Sequence, residues 1–157
     1  MNHSKIAKRA LVGAAVLAAG LLGLASPAQA VTHSGCTVNA LTPYHNGEFT
    51  LGGDKRINYE FDVSCTGAAT VTAYMERWED DPNQVDDLIG TSTIVTNFNS
   101  AGSTTRTIEA TLPNTDDGFD NQEEMYHRVR FTVTSADGMV TSSLSAWDYS
   151  GIRQIQV

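Results

Sequence analysis

The sequence has few of the residues that catalytic and metal centres usually require. It contains only two cysteines, four histidines and ten lysines and arginines in 157 residues. Two cysteines supply too few soft ligands for a typical zinc centre. No glycine-rich phosphate loop follows a predicted strand, and no basic stripe interleaved with aromatic residues is present. Nucleotide and nucleic-acid binding are therefore not expected.

The first 30 residues have the features of a secretory signal peptide. The stretch begins with three basic residues, Lys5, Lys8 and Arg9. An apolar run follows over residues 10–24, and the small triplet Ala28-Gln29-Ala30 is typical of a cleavage site. We expect cleavage after Ala30, a secreted protein and one domain over residues 31–157. The alternatives are a membrane anchor, for which the run is short, and a lipoprotein attached at Cys36.

The charge is concentrated after this segment and is strongly negative. All 18 acidic residues but only 7 of the 10 basic residues lie beyond residue 30, which gives residues 31–157 a formal charge of −11. Nucleic acid and anionic membranes repel such a protein. No later run is long enough to span a bilayer, so no membrane span is expected in the mature form.

Strict alternation of apolar and polar residues marks the clearest strand. A strand is predicted over residues 55–65, because from Ile57 to Cys65 every second residue is apolar, which is the pattern of a half-buried antiparallel strand. Further strands are predicted over residues 36–41, 69–79, 88–98, 104–112, 124–135, 139–147 and 152–157, with an extended pattern at Phe49 and Leu51. The predicted fold is all-β, an antiparallel two-sheet sandwich of seven to eight strands.

The strand over residues 139–147 is predicted to return after an Asp137-Gly138 hairpin turn. Its alternation places Val140, Leu144 and Ala146 in the core. The 88–98 stretch is rich in β-branched residues, but its alternation does not show which side chains face inward.

Cys36 and Cys65 are predicted to form one disulfide, since an even pair in a secreted chain is typically oxidised. The midpoint between them lies close to the Gly52-Gly53-Asp54 turn. A hairpin folded at this turn would bring the two cysteines together at its open end. Two reduced thiols are the alternative.

Three features resemble an immunoglobulin-like or fibronectin-III-like sandwich: Cys65 on an early strand, Trp78 thirteen residues later, and Tyr126 on a late strand. The resemblance is architectural. The Tyr126 strand has no cysteine for an inter-sheet disulfide, and Tyr126 is out of phase with its apolar neighbours. The signal peptide and the Cys36, Pro43, Gly47, Cys65 arrangement are also similar to small secreted proteins of actinobacteria. That similarity implies a bacterial, extracellular location more than a function.

Catalytic chemistry is not indicated. The histidines after residue 30 are His33, His45 and His127, and no serine lies in a nucleophile motif. His127 shares its phase with core residues and is predicted to be a partly buried, hydrogen-bonded side chain. Carboxylate pairs of the glycosidase type would have to come from strand residues such as Glu60, Glu76 and Glu109, which are expected to face solvent.

An acidic loop over residues 113–122 is the candidate cation site. Its oxygen ligands would be Asp116, Asp117, Asp120 and Glu123, together with Asn114. Calcium takes six to eight such oxygens, but the spacing does not match an EF-hand. We expect weak calcium binding at most, and no other cofactor. Asp80, Asp81, Asp86 and Asp87 form a second acidic cluster.

One predicted sheet face carries most of the large polar-aromatic residues. The binding residues predicted from the alternation of the 69–79, 124–135 and 139–147 strands are Tyr74, Trp78, Tyr126, Arg128, Arg130 and Trp147. Tryptophan, tyrosine and arginine are enriched at binding hot spots. We expect the face to centre on Arg128 and Trp147. The alternative is that Glu76 pairs with an arginine across the strands and that nothing binds.

The predicted function is therefore a secreted, non-catalytic binding module that recognises an extracellular protein or glycan. One alternative is an extracellular enzyme inhibitor or structural protein acting through the 113–122 loop. A hydrolase is the other.

Overall fold

Ten strands form in the part of the chain that the computed structural model describes, residues 30–80, 85–112 and 122–156. The strands are β1 (Val31–His33), β2 (Cys36–Ala40), β3 (Tyr44–Phe49), β4 (Lys55–Cys65), β5 (Ala69–Glu79), β6 (Asp87–Phe98), β7 (Gly102–Thr111), β8 (Gln122–Ser135), β9 (Asp148–Tyr149) and β10 (Arg153–Gln156). Within these ranges no helix is long and apolar enough to cross a membrane.

The first sheet is built around β4. Strands β2 and β3 follow one another along one side of β4, and β7 pairs with its other side. Strand β1 pairs with the outer side of β2. The turn between β3 and β4 contains Gly53 at φ 94°, a backbone conformation that glycine adopts without strain.

In the second sheet β5 lies between β6 and β8. Strands β9 and β10 pair with the far side of β8, where β10 lies against its beginning and β9 against Arg128 and Val129. All pairings in both sheets are antiparallel. The fold is an all-β, two-sheet antiparallel sandwich, as predicted, and is compatible with an immunoglobulin-like arrangement.

The core lies between the two sheets and follows the predicted alternation. The buried apolar residues include Ile57, Tyr59, Phe61 and Val63 of β4, Val71, Ala73 and Met75 of β5, and Met125, Val129, Phe131 and Val133 of β8. The bounds of β4 and β5 are those expected from the sequence. Alternation predicted these strands well because one side of each faces water and the other faces the core.

The predicted disulfide between Cys36 and Cys65 is confirmed. The two residues are directly opposite each other on β2 and β4, and both are buried. The intervening chain folds back at the predicted turn near Gly53, so the two cysteines meet at the open end of the folded-back segment.

The predicted strand over residues 139–147 is wrong. This segment forms only a single bridge, between Thr141 and Thr134, and regular pairing resumes at β9. Val140 is 66% exposed and Leu144 is 45% exposed, so neither is in the core as predicted, and Ala146 is exposed as well.

Serine side chains explain the difference. The Ser142 amide donates to the Val133 carbonyl (2.8 Å) while Ser142 Oγ accepts from the Val133 amide (2.9 Å). Ser145 does the same with Phe131, at 2.9 and 3.0 Å. Serine hydroxyl groups thus replace the carbonyl acceptors of a regular strand. The bonded residues are three apart on this segment but two apart on β8, so their spacing differs from that of paired strands.

Candidate binding face

The predicted binding residues lie together on the outer side of the second sheet. In the register of β5 and β8, Tyr74 is opposite Arg130, Glu76 opposite Arg128 and Trp78 opposite Tyr126. Residues of equal phase share one side of a strand, so all six point away from the core. We call this surface the aromatic–arginine face. It consists of Tyr74, Glu76, Trp78, Tyr126, Arg128, Arg130, Trp147 and Tyr149.

Arg128 lies among three aromatic rings. Its guanidinium carbon is 4.5 Å from the ring centre of Trp147, 4.9 Å from that of Trp78 and 5.8 Å from that of Tyr149. Each distance is within the range of a cation–π interaction. Trp147 also contacts Arg130, whose guanidinium carbon is 4.3 Å from its ring centre. Arginine and tryptophan therefore alternate across the face.

The charge of Arg128 is neutralised within the chain. Its Nε donates to Glu76 Oε2 at 2.8 Å, and its Nη2 lies 2.7 Å from the same oxygen. Its Nη1 donates to the Tyr149 hydroxyl at 3.1 Å. The cross-strand pair of Glu76 and Arg128 was the alternative foreseen from the sequence, and it is present. Three of the five N–H donors of Arg128 are thus engaged within the chain.

Arg130 is the cation of this face without an acidic partner among the described residues. Its Nε is buried and makes no hydrogen bond to the described part of the chain. Two tyrosines on the face are accessible: Tyr74, opposite Arg130, is 38% exposed, and Tyr149 is 47% exposed. The accessible part of the face is therefore its periphery, not its centre.

Trp78 and Tyr126 form one end of the aromatic–arginine face. Their rings are stacked with centres 6.4 Å apart and planes at 11°. The Tyr126 hydroxyl donates to Asp86 Oδ2 at 2.7 Å, and partial burial together with this bond raises the pKa of Tyr126. The irregularity near Trp78 lies in β6, where Ile89 is the extra residue, so Trp78 stays on the outer side.

A buried polar group lies on the inner side of the same sheet. His127 was predicted to be partly buried and hydrogen-bonded; it is fully buried, and its Nε2 lies 3.0 Å from the Glu60 carbonyl oxygen. Burial lowers the pKa of His127 to about 4, and Arg77, directly opposite on β5, acts in the same direction. The Tyr59 ring packs edge-on against His127, with centres 5.7 Å apart. This group is closed to solvent.

The candidate cation site is described only in part. Asp116, Asp117 and Asp120 lie outside the described residues, so calcium binding there stays a prediction. Glu123 was predicted to be a ligand from the loop. It lies in β8 instead, and its side chain is fully buried. Elsewhere in the described ranges, no group of three or more histidine, cysteine, aspartate or glutamate residues is arranged to hold a metal.

Sequence reasoning missed two contributors from β9. Tyr149 supplies the third ring and a hydroxyl to Arg128. Asp148 is buried, and its Oδ2 accepts from the Ala40 amide of the first sheet at 2.5 Å. The predicted strand ended at Trp147, one residue before Asp148 and two before Tyr149. A signal was present, since Tyr149 is two residues beyond Trp147 and shares its phase.

Comparisons with known proteins do not place the chain in a family. No protein-family model, no curated protein and no solved structure matches it.

Proposed function

We propose that this chain is a secreted, non-catalytic binding module of the immunoglobulin-like or fibronectin-III-like class. It recognises an extracellular or cell-surface protein or glycan through the aromatic–arginine face. The observation that carries the proposal is the accessible periphery, where Tyr74 is exposed opposite Arg130 and Tyr149 is exposed opposite Arg128. Exposed clusters of these residue types are uncommon on monomers without a binding role.

The order of the strands supports the class. Strands β2, β4 and β7 are neighbours in one sheet, and β6, β5, β8 and β9 in the other. An immunoglobulin-like sandwich divides its strands in a similar way.

The test uses the periphery because the centre is structural. Arg128 and Trp147 contact each other and the sheet, so their replacement would change stability together with binding. Partners are first captured from the native extracellular milieu and identified by mass spectrometry. Each is then titrated directly against the wild type and against the Tyr74→Ala variant.

Tyr44→Ala is the matched control. Tyr44 is a tyrosine of nearly equal exposure, 39%, on the first sheet. We expect Tyr74→Ala to lower the affinity at least about fivefold and the control to bind as the wild type does, since a hot-spot tyrosine contributes more than about 1 kcal/mol. Equal affinities of Tyr74→Ala and the wild type would refute the proposal.

A further inference from the structure

One side of the sandwich, here called the closed side, ends in the short strands β1, β3, β9 and β10, and the opposite, open side ends in the long strands β6 and β7. On the closed side β8 is covered by β9, β10 and the serines of the 139–147 segment. On the open side, among the described strands, β6 pairs only with β5 and β7 only with β4. Each therefore presents one row of backbone N–H and C=O groups that no described strand covers.

The core is also least covered on this side. Six apolar residues pack against the core without being fully buried, and four of them, Ile89, Phe98, Ile108 and Ala110, belong to β6 and β7. An open groove of about 590 Å³ lies where β6 continues into β7. The open side thus has both unused backbone groups and incompletely buried apolar surface.

The two edge strands differ in charge. From Leu88 to Thr105 the sequence has no charged residue, although the whole chain has 18 acidic residues. Natural edge strands usually carry lysine, proline or an inward charge that prevents pairing with another chain. Strand β7 has Arg106 and Glu109, whereas β6 has only Asp87, at its first residue. Apart from Asp87 and the extra residue Ile89 near its beginning, β6 therefore lacks the features that prevent pairing.

We propose that β6 pairs antiparallel with β6 of a second copy of this chain, forming a two-fold symmetric dimer with one continuous sheet. An extended strand satisfies a free strand edge through main-chain hydrogen bonds. Two strongly acidic chains repel each other over most of their surfaces, and the uncharged β6 edge is where a second copy approaches with little repulsion. Two-fold dimers are the commonest symmetric assemblies.

The length of β6 is sufficient for such an interface. Its 12 residues span about 40 Å at roughly 3.3 Å per residue. Pairing along most of this length makes roughly ten backbone hydrogen bonds, about the number found in a typical protein interface.

A two-fold axis through Thr93 gives a compatible register. Thr91 then lies opposite Val95 of the second copy, and Ser92 lies opposite Ile94. Residues that point toward the core in one copy then lie opposite residues that point toward the core in the other, because the axis keeps the phase of both strands. None of these pairs brings like charges together, and β-branched pairs of this kind stabilise sheets.

The first test compares two lysine substitutions by sedimentation velocity, from micromolar to millimolar concentration. Thr93→Lys places two lysines opposite each other at the axis. Thr107→Lys is the matched control, since Thr107 is an exposed threonine on the outer side of β7. We expect the wild type and the control to form dimers with rising concentration and Thr93→Lys to remain monomeric. A wild type that stays monomeric throughout, or a Thr93→Lys variant that dimerises equally well, would overturn the proposal.

The second test does not depend on loss of association. Thr93→Cys should form a disulfide-linked dimer under mild oxidation, because its two copies are neighbours across the axis, and Thr107→Cys should not. Non-reduced peptide mapping verifies that Cys36 and Cys65 remain paired. Crosslinking of Thr107→Cys at the rate of Thr93→Cys would show that the β6 pairing is wrong.

Discussion

The guanidinium of Arg128 lies 4.5 Å from the ring centre of Trp147, and this contact fixes an irregular segment to a regular sheet. Arg128 belongs to β8, whereas Trp147 ends the segment that forms no strand of its own. The segment has few buried apolar side chains, so the cation–π contact and the serine hydrogen bonds hold it in place.

Replacing Arg128 should therefore destabilise the fold. Arg128→Ala removes the contacts to three rings and leaves the Glu76 carboxylate without its cation. We expect a loss of about 2 kcal/mol in the free energy of unfolding, measured in urea, since a hydrogen bond to a charged group contributes roughly 1.5–3 kcal/mol. The exposed Arg153→Ala is the control and should have little effect. Equal stability of the two variants would contradict the structural role.

The Ser145 hydroxyl should protect a specific amide. Ser145→Ala leaves the Phe131 amide without its acceptor, which costs about 1–3 kcal/mol for a buried group. We expect faster hydrogen exchange at Phe131 by NMR and a lower unfolding free energy. Ser143→Ala is the control, because Ser143 is exposed and its hydroxyl bonds no β8 amide among the described contacts. Unchanged exchange at Phe131 would show that the hydroxyl is dispensable.

Removal of the disulfide should lower stability substantially. Cys36 and Cys65 are separated by 29 residues, and closing a loop of this size stabilises by roughly 3–4 kcal/mol in the chain-entropy model. We expect the Cys36→Ala, Cys65→Ala variant to melt on the order of 10 °C below the wild type. Calorimetry measures the melting temperatures of the variant and the wild type. A difference of only one or two degrees between them would show that the disulfide contributes little to stability.

His127 should make the fold sensitive to acid. Its pKa is about 4 in the fold and 6.5 as an ordinary histidine, so between these values the unfolded chain binds more protons. Stability therefore falls as the pH decreases through this range, by about 3 kcal/mol in total. A protonated His127 would also lie opposite Arg77.

The pH effect is isolated by comparing the wild type with His127→Gln in urea unfolding between pH 7 and 4. The buried Asp148 carboxyl has a raised pKa because of desolvation, and it acts in the opposite direction, since its contribution is lost as the pH rises. Asp148 is common to both proteins and cancels in the difference. If the difference in stability between the two proteins does not change with pH, His127 is not the cause.

Calcium binding stays a prediction. We expect calorimetry to show millimolar affinity at most, because ordering an acidic loop costs conformational entropy. Asp116→Asn with Asp120→Asn should abolish the heat of binding. Absence of any heat or thermal shift with the wild type at several millimolar calcium would remove the hypothesis.

The strands with regular alternation of apolar and polar residues were predictable from the sequence. Strand β4 alternates from Ile57 to its end and β5 as far as Met75, and the bounds and buried sides of both agree with the structure. Strand β6 was ambiguous because Ile89 is an extra residue that changes the phase. The 139–147 segment also alternates, but Ser142 and Ser145 bond β8 through their hydroxyls, and alternation does not distinguish this from a strand.

The candidate site was predictable in position but not in its internal contacts. Tyr74, Trp78, Tyr126 and Arg130 share a face because β5 and β8 are neighbours and both alternate. That Arg128 is neutralised by Glu76 and Tyr149 depends on cross-strand register and on the path of β9, which local sequence does not determine. For this reason the expected centre of the face is structural and its periphery is accessible.

The bond from the Ala40 amide to Asp148 has a consequence for the order of folding. The two residues are 108 positions apart, and His33 similarly bonds the Ser143 carbonyl 110 positions away. A chain that emerges from its amino end forms the β2–β4 pairing early, but the buried Ala40 amide has no acceptor until residue 148 arrives. Contacts of such long sequence separation slow folding. We therefore expect a late, rate-limiting step in which the β9 region docks across both sheets and completes the first sheet.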